Sequence, residues 1–414
     1  MTAHNRSLKV DVLVAGGGTA GCAAAVAAAR RGRSVLLVEE GNCLGGVSTA
    51  GGVNEWFASL DGLGDIFEHL KTELDRYGAR FGQFFNSEYL KIIWQLLAEE
   101  AGVTILFHAS VVGADVAGRR VTRATIVSCS QFIAVEAAYF IDTTGEGDFA
   151  ALAGAGFLQG DPQTGHTLHM SLTCLLQDTG RPVTPYLPPG LEPINTVDDL
   201  PGLRTYRRLP DGRVYCNMTK VTRHDPTDPF SLSEAEREAR RQLARTVHFL
   251  QRHDYPTYVL TSSGAKIGIR EGRRIVGDYV LTEADVTGSA PRDFEDGVAV
   301  ATSQIDFHSL TQPGDAGRRQ RVEPYAIPWR CLIARGFDNL LMAGKCASGD
   351  QVAQSSFRMT PTCCAMGQAA GTGVALALEQ PAGNIHALDV ARLRAALVDA
   401  GMELDPARHI PYAP

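Results

Sequence analysis

The 414-residue sequence has no apolar run of membrane-spanning length that is free of glycine or charge, so no transmembrane helix is expected. It also lacks a C-x-x-C pair or any metal-ligand spacing. Nine scattered cysteines, an odd number, point to reduced thiols in a cytoplasmic protein rather than to a disulfide framework or a metal site. Cys363 and Cys364 are adjacent, and neighbours on a helix point different ways, so packing is the simpler reading than redox pairing. A basic excess is missing too. The net charge is -7, which gives no field for nucleic acid or anionic membranes, and Arg237 to Arg241 and Arg318 to Arg321 read as solvated faces. The first apolar run begins at Leu8, has no cleavable small-residue end and continues into a glycine turn. It reads as a strand rather than a signal peptide.

Glycine is abundant, at 43 residues, and it is organised. Val10 to Ala15 read as a short buried strand. Gly16, Gly18 and Gly21 then occupy the G-x-G-x-x-G positions, with Thr19 and Ala20 between them, ahead of an alanine-rich helix. The first glycine permits a tight turn, the second lets backbone approach a pyrophosphate, and the third lets helix pack on strand. The phosphates then face free N–H groups at the positive helix end. A second apolar strand, Ser34 to Val38, ends in Glu39 and Glu40, and Glu39 stands where a carboxylate accepts from ribose hydroxyls. An adenosine diphosphate moiety with a free 2′-hydroxyl is expected, which disfavours NADP.

After Glu39 comes GNCLGGVSTAGGVNEW. Gly45-Gly46 followed by Ser48, Thr49 and Gly51-Gly52 resembles the second glycine motif of flavoproteins in the glutathione-reductase superfamily, especially the branch related to fumarate reductase flavoprotein subunits. The resemblance implies FAD, with this loop lying along the pyrophosphate and near the isoalloxazine ring. It extends through IDTTGEGD, where Asp142, Thr144 and Gly145 are the counterpart of the A-T-G turn and Glu146 and Asp148 begin a helix. It continues through GIREGRRIVGDY, IDFH and NLLMAG. There Gly344 and Asp350 match the last FAD motif, in which an aspartate contacts the ribitol or pyrophosphate side. Broadly, the chain looks like a group of bacterial FAD-dependent oxidoreductases. Two departures matter: the redox cysteines of the disulfide reductases are absent after Gly45-Gly46, and Ser48-Thr49 stand where fumarate reductase subunits carry a flavin-linking histidine. Dithiol chemistry is therefore not expected, and FAD is expected to be noncovalent.

Between these motifs, Ile66, Leu70 and Leu74 have helical spacing. Asn86 can cap a helix to about Ala101 with Leu90, Ile93, Trp94 and Leu97 as its apolar stripe. Val103 to Val112, Arg120 to Ser128 and Phe132 to Ile141 alternate as strands. Gly154 to Gly160 is one residue too long for a second nucleotide turn and follows a helix, so no NAD(P)H domain is evident. Ser233 and Glu236 suggest a capping box for a helix to about His253. Phe337 to Gly344 reads as a buried strand. A helix from about Thr362 to Leu378 carries Gly367 and Gly371 one turn apart, which permits close backbone packing. Its amino end is expected to point at the flavin, where a positive terminus favours the anionic reduced ring.

The expected fold class is α/β, a Rossmann-like FAD-binding domain of residues 1–175 and 331–414 interrupted by an α+β substrate domain, residues 176–330. Catalytic candidates lie in and around the insertion. Arg270, with Arg273 and Arg274 nearby, reads either as a salt-bridged strand and turn or as an anion clamp. Asp306 and His308 share one side of an extended segment, so His308 is either an exposed surface residue or a base oriented by Asp306. Arg330 and Arg358 are further candidates to hold substrate, Arg358 alternatively a salt-bridge residue.

The expected activity is hydride transfer between flavin N5 and a small polar substrate, at an alcohol, amine or carbonyl-adjacent carbon. Oxygen, a quinone or a protein would reoxidise the flavin. The alternatives are reduction of an activated double bond with an arginine as proton donor, monooxygenation with an external electron donor, and a non-catalytic flavin-binding scaffold. The tryptophan motif of flavin halogenases is not apparent around Trp56 or Trp329.

Overall fold

A computed structural model describes residues 6–288, 294–311, 317–380 and 383–412. The first strand, Arg6–Ala15, is the centre of a parallel sheet. Val35–Val38 and then Thr104–Leu106 lie on one side of it, and Gln131–Asp142 and then Leu340–Met342 on the other. The strand order thus reverses at Ala15, and the crevice beyond the carboxyl ends of such a sheet is where ligands bind. The early half of Gln131–Asp142 also pairs with an antiparallel meander, Ala109–Ala117 and Arg120–Ser128.

Both sheet faces are covered, which is why these strands read as continuous apolar runs. Val12, Val14 and Leu37 enter one core, formed with the helices Thr19–Arg30, Asp65–Arg76, Ser87–Glu100 and Thr360–Ala377. Leu13, Ala15, Leu36 and Val38 enter the opposite core beneath the meander. A third core belongs to a four-stranded antiparallel sheet, Tyr206–Arg208, Val214–Cys216, Cys174–Asp178 and Tyr258–Ser263, backed by the helix Pro229–His253. Residues 168–172 lead into this sheet. By contrast the paired strands Gly297–Ala301 and Tyr325–Pro328 pack in the first core against the Thr360–Ala377 helix.

Several boundaries differ from the sequence-based expectation for physical reasons. The strand expected over 103–112 is broken at His108, whose φ of 52° interrupts the ladder. Ser233 and Glu236 do not form a capping box. The helix starts earlier, at Pro229, whose ring suits the first helical position, and the Asp228 side chain accepts from Ser231 N at 2.7 Å. Glu236 instead accepts from Ile267 N at 2.6 Å. Asn86 caps its helix as expected, accepting from Glu88 N at 3.0 Å. Between Phe337 and Gly344, only Leu340–Met342 is strand.

The Thr19–Arg30 and Thr360–Ala377 helices touch backbone to backbone. A Cβ placed on Gly367 would lie 2.1 Å from Ala20 O, and one on Gly371 2.1 Å from Ala24 O. Only glycine permits this approach, and it aims both amino ends at the same side of the sheet. Gly371→Ala is therefore expected to destabilise the fold by about 1–3 kcal/mol through overpacking, read as a lower denaturation midpoint. Gly156→Ala, where a Cβ would meet nothing within 4 Å, should leave the midpoint unchanged.

Candidate functional site

The glycine turn sits at the carboxyl end of the first strand. Gly16 has φ +99°, and a Cβ there would lie 2.5 Å from Thr143 O; a Cβ on Gly21 would lie 1.9 Å from Gly16 O. Gly18 is different, because a Cβ there would meet nothing within 4 Å, so its backbone borders open space. The helix that follows has no side-chain cap, which leaves its first N–H groups available beside Gly18. The second glycine loop lies against this turn: Gly18 bridges Gly45, Gly45 N donates to Gly17 O at 2.8 Å, and Thr19 Oγ1 donates to Gly45 O at 3.2 Å. Gly46 packs on Gly18 so closely that a Cβ would come within 2.9 Å of its Cα.

Glu39 holds the rim of the same crevice. Its carboxylate accepts from Gly17 N and Gly41 N, both at 2.7 Å. Burial raises its pKa, opposed by these two N–H groups and Lys266. Glu40 is more exposed and pairs with Lys266. Ser48 and Thr49 are buried; Thr49 Oγ1 donates to Leu44 O at 2.7 Å, and Ser48 Oγ lies 3.4 Å from Thr360 Oγ1 at the start of the last core helix. That helix too has no side-chain cap, and Thr362 in its first turn is fully buried with a hydroxyl that has no partner among the described residues. Gly344 packs against Ala20.

Not every expected cofactor residue is free to face the crevice. Asp350 caps the helix Gln351–Phe357, accepting from Ala353 N at 2.7 Å and from Glu283 N at 2.6 Å. Thr144 ties Asp142 to the start of the Asp148–Leu152 helix, its Oγ1 donating to Asp142 at 2.8 Å and accepting from Asp148 N at 2.9 Å. Asp148 also pairs with Arg273 at 2.7 Å, and Gly145 lies against the Lys345 side chain.

Beyond the glycine loops, four of the five catalytic candidates come together. His308 Nε2 and Asp306 Oδ2 are 2.9 Å apart, and Arg358 Nη2 donates to Asp306 Oδ2 and to its backbone oxygen, both at 3.1 Å. Arg319, across the short hairpin, is 3.6 Å from Asp306 Oδ1. Arg270 donates to Ser171 Oγ and, at 3.3 Å, to His169 O. Among the described residues it pairs with no carboxylate of its own. The carboxylate that acts on it through space is Asp306, already shared by three partners.

His169 completes the recess. Its ring meets His308 edge to face with centroids 4.5 Å apart, and its buried Nδ1 has no partner among the described residues. The sequence reading missed this residue. The signal was present in TLHMSLT, where Thr167, His169, Ser171 and Thr173 alternate with apolar residues on an extended segment, all four polar side chains being buried.

Charge explains the titration of the cluster. Burial first, then Arg270 and the second imidazole, holds His169 far below the usual histidine range. Burial lowers His308 to about 4; Asp306 opposes the shift, and Arg270 and Arg358 reinforce it. For Asp306 burial pushes upward, but His308, Arg358 and Arg270 together hold it well below the usual carboxylate range. Arg270 is lowered to about 10 by burial and by Arg358. At neutral pH the recess therefore holds neutral imidazoles and an excess of positive charge.

Arg330 does not join the cluster. The short turn at Trp329–Cys331 faces it outward, where it forks onto Asp296 at 2.9 and 3.1 Å and stacks on Tyr279. It lines a separate cavity of about 640 Å³ with Asp278, Asp296 and His386. Arg273 and Arg274 are structural, as the salt-bridge reading had it.

The segment carrying Arg270 is held by buried polar bonds. Glu271, fully buried, pairs with Arg274 and accepts from Gly160 N at 3.0 Å, Leu168 N at 2.8 Å and Gln351 Nε2 at 2.7 Å. Lys345 Nζ donates to Ile269 O at 2.8 Å, and Gln354 Nε2 to Arg270 O at 3.0 Å.

A parallel sheet with a glycine turn at its switch point, two uncapped helix ends and a rim carboxylate defines a dinucleotide-binding enzyme fold. Residues 11–397 match the family model described as FAD dependent oxidoreductase; the chain belongs to that family, is an enzyme of the oxidoreductase class, and uses FAD as its cofactor. No curated protein matches the sequence. Among solved structures, the chain is similar to a geranylgeranyl bacteriochlorophyll reductase-like protein from Thermoplasma acidophilum, at 13% identity and a TM-score of 0.49, covering 97% of this chain and 90% of that one. It is also similar to OxyS anhydrotetracycline hydroxylase from Streptomyces rimosus, at 12% identity and a TM-score of 0.49, covering 95% and 68%. The myxobacterial chondrochloren halogenase CndH gives 12% identity and a TM-score of 0.47, covering 94% and 78%. Among the described residues no helix is long and apolar enough to cross a membrane.

Gly18→Val should project a branched side chain into the open space beside the turn. The variant is expected to purify without flavin absorbance while keeping its far-ultraviolet circular dichroism. Glu271→Ala leaves Arg274 buried without its partner and is expected to cost about 3–5 kcal/mol, measurable by denaturant unfolding.

Proposed function

We propose that the enzyme oxidises a small polar organic substrate that carries a negative group, at an alcohol, amine or carbonyl-adjacent carbon. The observation that carries this reading is the placement of the Asp306–His308 pair beside Arg270, a recessed guanidinium with no carboxylate partner among the described residues. FAD supplies the two-electron acceptor for the substrate hydride. In this reading Gly16, Gly18, Thr19, Ala20, Gly21, Gly45 and Gly46 hold its pyrophosphate, Glu39 its ribose, and Ser48, Thr49 and the amino end of the Thr360–Ala377 helix its ring end.

The protein side chains divide the remaining work. Arg270 and Arg358 hold the negative group, guanidinium forks being suited to a carboxylate. Asp306 accepts the His308 Nε2 proton, which fixes the tautomer and leaves Nδ1 with its lone pair; among the described residues nothing hydrogen-bonds Nδ1. His308 Nδ1 then takes the substrate proton. The resemblance of the Gly45-Gly46 loop to the glutathione-reductase superfamily, on the fumarate reductase side, supports placing the chain on that branch. A loop with Ser48-Thr49 and no imidazole supports noncovalent FAD. The core under the antiparallel sheet supports a substrate domain set into a discontinuous FAD domain. Nine unbridged cysteines support a cytoplasmic setting. The reoxidant, whether oxygen, a quinone or a protein, comes from outside the chain.

A second reading runs the reaction in reverse, reducing an activated carbon–carbon double bond. It is favoured by Arg270, a recessed guanidinium that pairs with no carboxylate among the described residues and that burial and Arg358 make more acidic, as a proton donor requires.

Anaerobic addition of hydroxy acids, amino acids, amines and alcohols to the purified holoenzyme tests the first reading through bleaching of the flavin band. Bleaching by an anionic member, slowed roughly 10²–10⁴-fold by His308→Gln with flavin content unchanged, is the expected result. An unaltered rate removes His308 as the base. Reoxidation of pre-reduced enzyme by an unsaturated acid, with no bleaching by any reduced substrate, moves the assignment to the reductase reading.

A further inference from the structure

Among the described residues, the recess that holds Arg270 gathers more positive charge than the Asp306 carboxylate offsets. Around His308 stand Asp306 on its own strand, Arg319 across the hairpin, His169 from the segment before the antiparallel sheet, Arg270 from the 268–274 segment, and Arg358 from the end of the Gln351–Phe357 helix. Lys220 and Arg270 also act on His169, and Tyr215 faces Arg270. Arg358 and Arg319 thus contact Asp306 and Arg270 feels it through space, while two imidazoles in edge contact stand beside them.

We propose that in acid solution this recess binds a small carboxylate together with one proton, which goes from solvent to His308 Nδ1, and that in the complex formed at neutral pH, where His308 stays unprotonated, the same substrate charge raises the basicity of the residue that deprotonates it. The proposal rests on the reading of Arg270 and Arg358 as the anion grip and adds a coupling that the reading does not require.

The argument is electrostatic. Without a bound anion, a proton on His308 would add a cation beside Arg270 and Arg358, with Asp306 the carboxylate that offsets them among the described residues, and His308 stays neutral down to about pH 4. A carboxylate on Arg270 neutralises part of that field. The protonated imidazole is then favoured, and the His308 pKa rises towards the unperturbed value near 6.5. By linkage, carboxylate affinity is greatest at low pH, falls as pH rises between the free-site and bound-site pKa values, and is flat above them. A neutral analogue brings no charge and gains no proton. The consequence for specificity is that His308 becomes an effective base only for anionic substrates, an uncharged alcohol or amine leaving it too acidic.

The test uses the FAD-loaded enzyme and acetate as probe, with acetamide as the uncharged control, followed by perturbation of the flavin spectrum and by calorimetry in two buffers of different ionisation heat. Acetate affinity is expected to fall roughly tenfold from pH 5 to pH 6.5, with net proton uptake on binding at pH 5.5. Acetamide should show neither effect. His308→Gln should bind acetate without proton uptake and with a flat pH profile. Acetate binding to the wild-type enzyme with no proton uptake and unchanged affinity from pH 5 to 8 overturns the coupling, whatever the variants do, as does uptake that survives in His308→Gln. If Arg270→Gln binds acetate as tightly as the wild type, or the wild type binds none, the anion grip itself is wrong, a failure distinguishable from loss of the coupling alone.

Discussion

The contact between the backbones of the Thr19–Arg30 and Thr360–Ala377 helices is the constraint on which the rest of the structure depends. Gly367 and Gly371 let the later helix rest on Ala20 and Ala24. Chain segments more than 340 residues apart thereby present their uncapped amino ends to one crevice. A helix end is a fixed partial charge only while its direction is fixed. The direction here is set by atoms that cannot rotate away, because a wider side chain at either glycine would separate the helices.

Much of the nucleotide side was legible in the sequence because its requirements are local. A tight turn at Gly16, an open backbone at Gly18 and a carboxylate at the end of the second strand are each demands on one residue within a short window. The substrate side was legible only in part. Asp306 and His308 are two apart on one strand, and their pairing follows from strand geometry. The edge contact of His169 with His308 joins residues 139 positions apart, and no periodicity within either segment announces it. Arg330 shows the converse. Its neighbourhood in the sequence suggested the site, but a single turn at Trp329–Cys331 reverses its direction.

The polar groups that hold Arg270 in place explain how two cores cooperate. Glu271 accepts from backbone on the 160–168 segment and from Gln351, while Gln354 and Lys345 bind the carbonyls of Arg270 and Ile269. Leu168, Glu271, Gln351 and Gln354 are buried, where an unmatched polar group is costly. The position of Arg270 is thus set from the side of the first core by the Gln351–Phe357 helix, and the segment leading into the antiparallel sheet contributes Ser171 and His169 from the other. Neither half of the molecule holds the recess alone.

Asp142 and Met342 face each other on adjacent strands of the parallel sheet. Topologically, the 199 residues between them are one long excursion that leaves and re-enters at neighbouring points. A segment tethered in this way can diverge without disturbing the strand order, so new chemistry can be acquired by exchange of an internal cassette. The strands Gly297–Ala301 and Tyr325–Pro328 limit that freedom, because they fill the first core against the Thr360–Ala377 helix. Variation in this lineage should concentrate between the Asp148–Leu152 helix and Gly297, with the returning part of the excursion held to the sizes and shapes that the core accepts.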